Sequence, residues 1–328
     1  MHINSKKIKI GILGYGNLGK GLALAVKQSP DMELIGIFTR RDPRQIAADY
    51  PVYSTDNILD FQEKIEVLVL CGGSLQDLPE QIIEMAPYFH TVDSFDTHAK
   101  ISEYFANVEA INNKHKTLSL ISTGWDPGLF SLMRVLGKAV LPEGDSFTFW
   151  GKGLSQGHSD ALRKVRGVKN GVQYTIPKPS ALEAVRNGNK VIFDASDMHD
   201  RICYVVAENG ADKAEIERNI KSMPHYFQPY TTTVYFISEE ELEADHQAMP
   251  HGGTVIRTGK SALGEQQRLE FSLALESNPN FTASVLLAYA RAIGKMGREG
   301  LHGTKTIFDI PIGYLSIHSP EILRKEYL

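Results

Sequence analysis

Short apolar runs and amphipathic stretches alternate through roughly the first third of the chain. Runs at Ile8–Leu13, Leu34–Thr39, Val67–Cys71, His90–Asp93 and Leu118–Ser122 have the length and composition of strands covered on both faces. Between them, Leu18–Gln28, Asp77–Met85 and Lys100–Lys114 are helical stretches. Strands separated by helices predict an α/β fold of Rossmann type, a doubly wound parallel sheet. The pattern changes near residue 145. Strand-like runs then lie at Phe147–Gly151, Val172–Ile176, Val191–Phe193, Ile202–Ala207, Thr231–Ile237, Thr254–Thr258 and Leu269–Leu275, with few and shorter helices. That arrangement predicts a mixed or antiparallel sheet in a second, α+β domain. The acid-rich stretch 239–245 reads as a solvated helix, whereas FTASVLLAYARAIGKMG (281–297) is apolar nearly all round, as a buried helix is. Returning that helix to the first domain makes the nucleotide-binding unit discontinuous: residues 1–126 plus roughly 279–328, around a second domain at 127–278.

The first strand runs into Gly14, Gly16 and Gly19, a G-x-G-x-x-G turn that opens a helix. The first glycine permits the tight turn, the second lets backbone approach a pyrophosphate, and the third lets the helix pack on the strand. Unpaired N–H groups at the helix start then attract phosphate. The second strand closes on Thr39-Arg40-Arg41, where an NAD-binding chain usually places an acid for the ribose hydroxyls. Two guanidiniums suit a 2′-phosphate, so the expected cofactor is NADP.

Composition narrows the class. A chain of 328 residues accommodates two domains with their own cores, and 42% hydrophobic with 23% charged residues is ordinary for a soluble protein. A net charge of −4 gives no bulk attraction for nucleic acid. Cys71 and Cys203 lack C-x-x-C spacing, which argues against a disulfide framework or a metal site. The N-terminus has no signal-peptide core and no run of about 18 apolar residues occurs. The expectation is a cytoplasmic protein with no membrane or nucleic-acid partner.

Ligands of open α/β sheets bind beyond the carboxyl ends of the strands. Asp96 and Asp126 follow two such ends and are placed to face the nicotinamide end of the cleft. Each can hold an ammonium group or act as a base; each also fits a helix cap, Asp126 especially, with Pro127 as the first helical residue. The glycine-rich segment 149–160 carries Trp150, Gln156, His158 and Asp160, and His158 is a candidate acid–base group or a loop hydrogen-bonder. Arg201, at a strand start, suits a carboxylate clamp or a surface salt bridge. His251 beside two glycines suits close backbone approach to a ligand or a plain turn, while Thr175 ends a strand and Asn278 precedes Pro279.

GYGNLG, IFTRR, VDSFD, STGWDPG, FWGKGLSQGHSDALR, VQYT, MPHGG and NPNFTAS together resemble the meso-diaminopimelate D-dehydrogenase family, essentially from end to end. The resemblance implies NADP-dependent, reversible oxidative deamination of the D-centre of meso-2,6-diaminopimelate. The products are L-2-amino-6-oxopimelate, in equilibrium with tetrahydrodipicolinate, and ammonia, within lysine and peptidoglycan-precursor synthesis. It also implies a homodimer formed through the second domain. By motif it sets Tyr15, Asn17 and Leu18, with the turn glycines, at the pyrophosphate and Thr39, Arg40 and Arg41 at the 2′-phosphate. Cys71, Gly72, Gly73, Ser74, Ser94, Phe95, Asp96, Thr123, Gly124, Trp125, Asp126 and Pro127 line the cofactor on the same basis. Asp96, Trp125 and Asp126 meet the substrate's D-amino end; Trp150, Gln156, Gly157, Thr175, Arg201, His251 and Asn278 shape the pocket and grip its L-end. Asp96, Asp126 and, more weakly, His158 are the candidates for handling the reacting amine's proton. Another NADP-dependent amino-acid dehydrogenase or reductase, and a non-catalytic NADP sensor, are the competing readings.

Overall fold

A computed structural model of the chain describes residues 6–188, 192–224 and 226–328, with the side chains of Gln156 and Ala195 outside the description. In chain order the strands are β1 (Ile8–Leu13), β2 (Met32–Thr39), β3 (Val52–Ser54), β4 (Val67–Leu70), β5 (His90–Asp93), β6 (Leu118–Leu120), β7 (Gly144–Trp150), β8 (Gly153–Leu154), β9 (Val168–Pro177), β10 (His199–Ala207), β11 (Thr231–Phe236), β12 (His251–Lys260), β13 (Gln266–Leu275) and β14 (Gly303–Lys305). Two compact units contain them: Met1–Leu132 with Pro279–Leu328, and Met133–Asn278.

The first unit is built on a seven-stranded sheet in the order β14-β6-β5-β4-β1-β2-β3, parallel throughout. Side chains alternate between its faces, as the two-residue strand period requires. Ile10, Ile12, Val67 and Val69 point one way, into a core shared with Leu22 and Val26 of helix Asn17–Lys27 and Leu286, Ala290 and Ile293 of helix Asn278–Arg298. Leu13, Leu68 and Leu70 point the other way, onto Leu78 and Ile82 of helix Asp77–Met85 and Tyr104 and Val108 of helix Ile101–His115. Each such large apolar side chain contributes about 1.5–3 kcal/mol through burial. Strand order reverses at β1, so the crevice beside its carboxyl end is the switch point of the sheet.

Helix Asn278–Arg298 is fastened to this unit by charge as well as packing. Arg291 donates to both carboxylate oxygens of Asp31, at 2.6 and 3.0 Å, with each side chain only 10% exposed. Arg291→Met leaves that carboxylate buried and unpaired. The expected loss is about 3–5 kcal/mol of stability. Urea unfolding of Arg291→Met, Asp31→Asn and the double variant checks this, the double being expected to cost less than the two singles summed.

The second unit holds a four-stranded sheet, β11-β10-β9-β8, and a three-stranded antiparallel sheet, β13-β12-β7. In the first of these only β10 and β11 run parallel. Cys203 and Val205 pack with Leu162, Ile216, Ile220 and Phe227; Phe149 and Ile256 pack with Ala181 and Val185.

Several local expectations change. β3, β8 and β14 span only 3, 2 and 3 residues, too short to impose a period on the sequence. Of the strand expected at Val191–Phe193, Val191 lies outside the described residues, and Ile192 and Phe193 are not in a strand. Residues 239–245 do form a helix, entered through a capping box on Ser238. The helix after Trp125 begins at Leu129, so Pro127 is not its first residue and Asp126 is not its cap. Instead a cis peptide joins Asp126 to Pro127, and Leu129 and Phe130 donate back to the carbonyls of Gly124 and Trp125.

Candidate active site

In the first unit the glycine turn has the geometry its spacing implies. Gly14 has φ +100°, and its N–H donates to the Phe38 carbonyl at 2.8 Å, locking the turn to the end of β2. A Cβ on Gly19 would lie 2.1 Å from the Gly14 carbonyl oxygen, so only glycine lets the helix start this close to the strand. Gly16 faces open space and is the N-cap of helix Asn17–Lys27, with no capping side chain and no acid in the first turn. A helix start of this kind suits a diphosphate.

Thr39 accepts a hydrogen bond from the Arg41 N–H at 3.2 Å, and the Arg41 guanidinium donates to the Tyr15 carbonyl at 2.5 Å. Arg41 is thereby brought over the turn. Arg40 pairs with Asp77 at 2.8 Å, but its side chain is 74% exposed, so that contact is worth little and is readily exchanged for a phosphate. Asp77 also accepts from the Gly73 N–H, holding the Cys71–Ser74 strand end.

Two strand ends carry the acidic candidates. Asp96 is exposed, and its N–H donates to Ser74 Oγ at 2.8 Å, which ties the Ser94–Asp96 turn to the end of β4. Phe95 is buried and stacks on Tyr104, with ring centres 4.1 Å apart. Thr123 is fully buried and its N–H donates to the Asp93 carbonyl, joining the next strand end to this one. Trp125 is buried edge-on against Phe130, and Asp126 is half-buried.

In the second unit the β ladders assemble residues far apart in sequence. Thr175 and Arg201 are register partners across β9 and β10, so neither sits at the strand margin the sequence suggested. The Arg201 guanidinium donates to Thr175 Oγ1 and lies over the Tyr230 ring, 4.0 Å from its centre. Arg201 is 7% exposed, its Nε has no hydrogen-bond partner, and among the described residues no carboxylate pairs with it. The surface salt-bridge reading is therefore wrong: this is a buried cation. Gly153 pairs with Thr175 and packs against the His251 ring, which would come within 2.6 Å of a Cβ there. His251 and its two glycines belong to β12 and do not form a separate turn, and Gly253 pairs with Trp150. Trp150 and His251 thus share the β13-β12-β7 sheet, Thr175 and Arg201 share the β11-β10-β9-β8 sheet, and the packing of Gly153 on His251 brings the two pairs together. Asn278 opens the helix Asn278–Arg298 and donates its N–H to the Met249 carbonyl.

His158 departs from its expected setting. Residues 156–163 form a helix capped by Ser155, so His158, Gln156 and Gly157 are helical and not in a loop. The Gln156 side chain lies outside the described residues; Gly157 opens onto free space. His158 Nδ1 contacts Ser155 Oγ at 2.8 Å, and its ring meets Tyr226 and Phe227 edge to face. Burial, aided by Arg201, pushes its pKa down to about 4, so it is neutral at pH 7 and poorly suited to donate a proton. The sequence reading missed His199. That residue is buried, likewise pushed down to about 4 by burial and Arg201, and its Nε2 accepts the Trp150 N–H at 2.9 Å while the two rings lie 5.7 Å apart. Tyr230 and Asp93 were missed as well. The one signal for Asp93 was an acid at the end of a strand expected to be covered on both faces.

Among the described residues no group of three or more potential ligands could hold a metal ion, and no helix is long and apolar enough to cross a membrane.

Comparison with known proteins agrees with this architecture. Residues 124–277 match the model of the diaminopimelic acid dehydrogenase C-terminal domain. The chain is 56% identical over 324 residues to meso-diaminopimelate D-dehydrogenase of Ureibacillus thermosphaericus, covering 98% of this chain and 99% of that one. It superposes with a TM-score of 0.95 on a sixfold mutant of the meso-DAP dehydrogenase from Clostridium tetani E88 with DAP, at 51% identity over 98% of this chain and 100% of that one. An engineered D-amino acid dehydrogenase bound to NADP+ matches at 38% identity with a TM-score of 0.87, over 98% and 100% of the two chains.

Proposed function

The chain belongs to the meso-diaminopimelate D-dehydrogenase family, and on that premise we propose that it deaminates the D-centre of meso-2,6-diaminopimelate with NADP. The products are L-2-amino-6-oxopimelate and ammonia, and the reverse reaction is a reductive amination serving lysine and peptidoglycan-precursor synthesis. The observation that carries this reading is Arg201: a buried guanidinium with an orphaned Nε, set beside the Thr175 hydroxyl and lacking a carboxylate among the described residues. Burying an unpaired charge is costly, and a substrate carboxylate relieves the cost. The C. tetani mutant adds support. The six residue types replaced in it, Gln, Thr, Arg, Pro, His and Asn, recur here in the same order and at the same intervals as Gln156, Thr175, Arg201, Pro250, His251 and Asn278.

The substrate carries two carboxylates and two ammonium groups, so its site needs both signs. Arg201, Thr175, His251 and Asn278 take the L-end, with Trp150, Gln156 and Gly157 shaping the pocket around it. Asp96 and Asp126 take the ammonium at the D-end and orient it as it loses a proton, directly or through water. The reacting carbon gives up a hydride, the amine becomes an imine, and water then releases ammonia. NADP, when bound, accepts that hydride at its nicotinamide C4. The chain's part toward the cofactor is to seat the diphosphate at Gly14–Gly19 and the 2′-phosphate at Thr39, Arg40 and Arg41. Holding both ends of the substrate fixes which centre reacts, because a reversed substrate presents its D-centre to Arg201 with the ammonium and carboxylate in the opposite hand, and the pairing is lost. We also assign a homodimer formed through the second unit, in the cytoplasm; Val135, Leu136 and Val140 of helix Leu129–Val140, each about half exposed, are apolar surface available to it.

The test is absorbance of the reduced nicotinamide with NADP and meso-diaminopimelate, run beside the L,L and D,D isomers and other D-amino acids. Turnover of the meso isomer with release of the 6-oxo product supports the reading. Turnover of a different amino acid alone, or cofactor binding without turnover, rejects it. Cofactor choice has its own check. Replacing both Arg40 and Arg41 by alanine is expected to raise the KM for NADP by about 10- to 100-fold while leaving the KM for NAD nearly unchanged. Equal effects on both cofactors would place these arginines elsewhere than at the 2′-phosphate.

A further inference from the structure

The last residues of β1, β4 and β5 lie side by side: Leu13 pairs with Leu70 and Leu70 with Asp93. The two leucines fill the core beneath helices Asp77–Met85 and Ile101–His115. A third apolar side chain would continue the row. Instead the position holds a carboxylate with 0% exposure, and burial pushes its pKa up to about 6. No cation offsets the charge among the described residues; three hydrogen-bond donors do. Asp93 Oδ1 accepts the N–H of Phe95 at 2.9 Å and the N–H of Ser122 at 3.0 Å. Oδ2 accepts the Tyr104 hydroxyl at 2.9 Å.

The first contact is an ordinary side-chain turn to a residue two positions on. The second is not local, since Ser122 lies 29 residues away on the neighbouring strand end. Ser122 has φ +55°, an uncommon conformation for a residue with a Cβ. The main chain adds a third link, from the Thr123 N–H to the Asp93 carbonyl at 2.9 Å. One residue therefore fixes the starts of both loops, one leading through Phe95 to Asp96 and the other through Thr123 to Asp126.

We propose that Asp93 is a positioning residue for turnover, holding the Ser94–Asp96 and Ser122–Asp126 loops in mutual register so that Asp96 and Asp126 meet the reacting amine together. The proposal rests on the roles given above to Asp96 and Asp126. Tyr104 is its second part: it satisfies Oδ2 and stacks on Phe95, keeping the carboxylate aimed at the two N–H groups. Val92, the preceding residue, faces the opposite core and cannot substitute.

The experiment compares Asp93→Asn, Asp93→Leu and Tyr104→Phe with the parent enzyme, well below each variant's unfolding midpoint. Asparagine keeps an acceptor for both N–H groups, whereas leucine fills the row as Leu13 and Leu70 do and keeps none. A displacement of about 1 Å at reacting groups costs roughly 100-fold, so Asp93→Leu is expected to lose about that factor in kcat, Tyr104→Phe less, and Asp93→Asn under about 10-fold. The deuterium isotope effect from substrate labelled at the D-carbon should rise in Asp93→Leu, because misplacement slows the hydride step; a merely structural role lowers the midpoint without moving it. Folded Asp93→Leu with parental kcat and isotope effect overturns the proposal. Should Asp93→Leu not fold, parental kcat and isotope effect in both Asp93→Asn and Tyr104→Phe overturn it, and a raised isotope effect in Tyr104→Phe upholds it. Asp96→Asn and Asp126→Asn are run alongside. Parental turnover in both rejects the roles of those carboxylates; loss in them with none in the Asp93 and Tyr104 variants rejects the positioning role alone.

Discussion

Arg201→Met is expected to lower kcat/KM for meso-diaminopimelate by about 100- to 1,000-fold, the scale of removing one partner from a buried, hydrogen-bonded charge pair. Methionine nearly conserves the volume in the core beside Tyr230 and removes a cation that has no carboxylate partner among the described residues. The variant should therefore be at least as stable as the parent. Opposite directions for stability and activity make the result diagnostic. A residue kept for the fold would lose both. The measurement is steady-state kinetics together with a thermal melt, with and without substrate. Substrate should raise the melting point of the parent and leave that of Arg201→Met nearly unmoved. Thr175→Val is expected to act in the same direction but less, since a neutral hydroxyl contributes about 0.5–1.5 kcal/mol against the larger charge-assisted contact. Retention of parental kcat/KM in Arg201→Met, with folding intact, would falsify the assignment of the L-end carboxylate to this guanidinium.

Asp126→Asn carries the second large effect. A positioned carboxylate that orients an amine and receives its proton contributes about 100- to 10,000-fold, so kcat should fall within that range. Asparagine has nearly the same shape and keeps one acceptor, and the residue is half-buried on a strand-end loop and not at a helix cap. Stability should change little. The pH profile separates the roles. If Asp126 takes the proton, the acid limb of kcat/KM for the parent flattens or shifts in the variant. If Asp126 only orients the ammonium, the rate falls with the limb in place. Unchanged turnover with unchanged pH dependence would remove Asp126 from the reaction and leave Asp96 as the acid to test.

Some of the site is legible along the chain and some is not. The glycine turn depends on three residues within one strand–turn–helix unit, and each glycine's duty follows from its own backbone or its nearest neighbours. Arg40 and Arg41 are legible for a similar reason: the residues after the second strand of such a unit return to the turn. His158 misleads because glycines around it suggest a loop. Ser155 as a cap was the available signal for a helix. Pro127 misleads because a proline at a helix start is common, whereas here a bend through Gly128 comes first and the helix waits until Leu129. Arg201 is ambiguous in sequence because its meaning depends on burial, and burial of β10 comes from Leu162, Ile216 and Phe227 packing over it.

The sequence by itself determined five of the seven strands of the first unit and their alternation with helices, the change of sheet type in the second, and a glycine turn with two arginines after the next strand. Those features arise from periodicity and from contacts within a few residues. Only the tertiary structure decided that Arg201 is a buried cation beside Thr175, that His199 holds the Trp150 backbone, and that Asp93 joins two loops. Each of these depends on partners 26 to 49 residues away in sequence. Hydrogen-bond geometry and loss of solvent act between such residues only after the strands have paired, so the chemistry of these side chains is set by the ladder that assembles them.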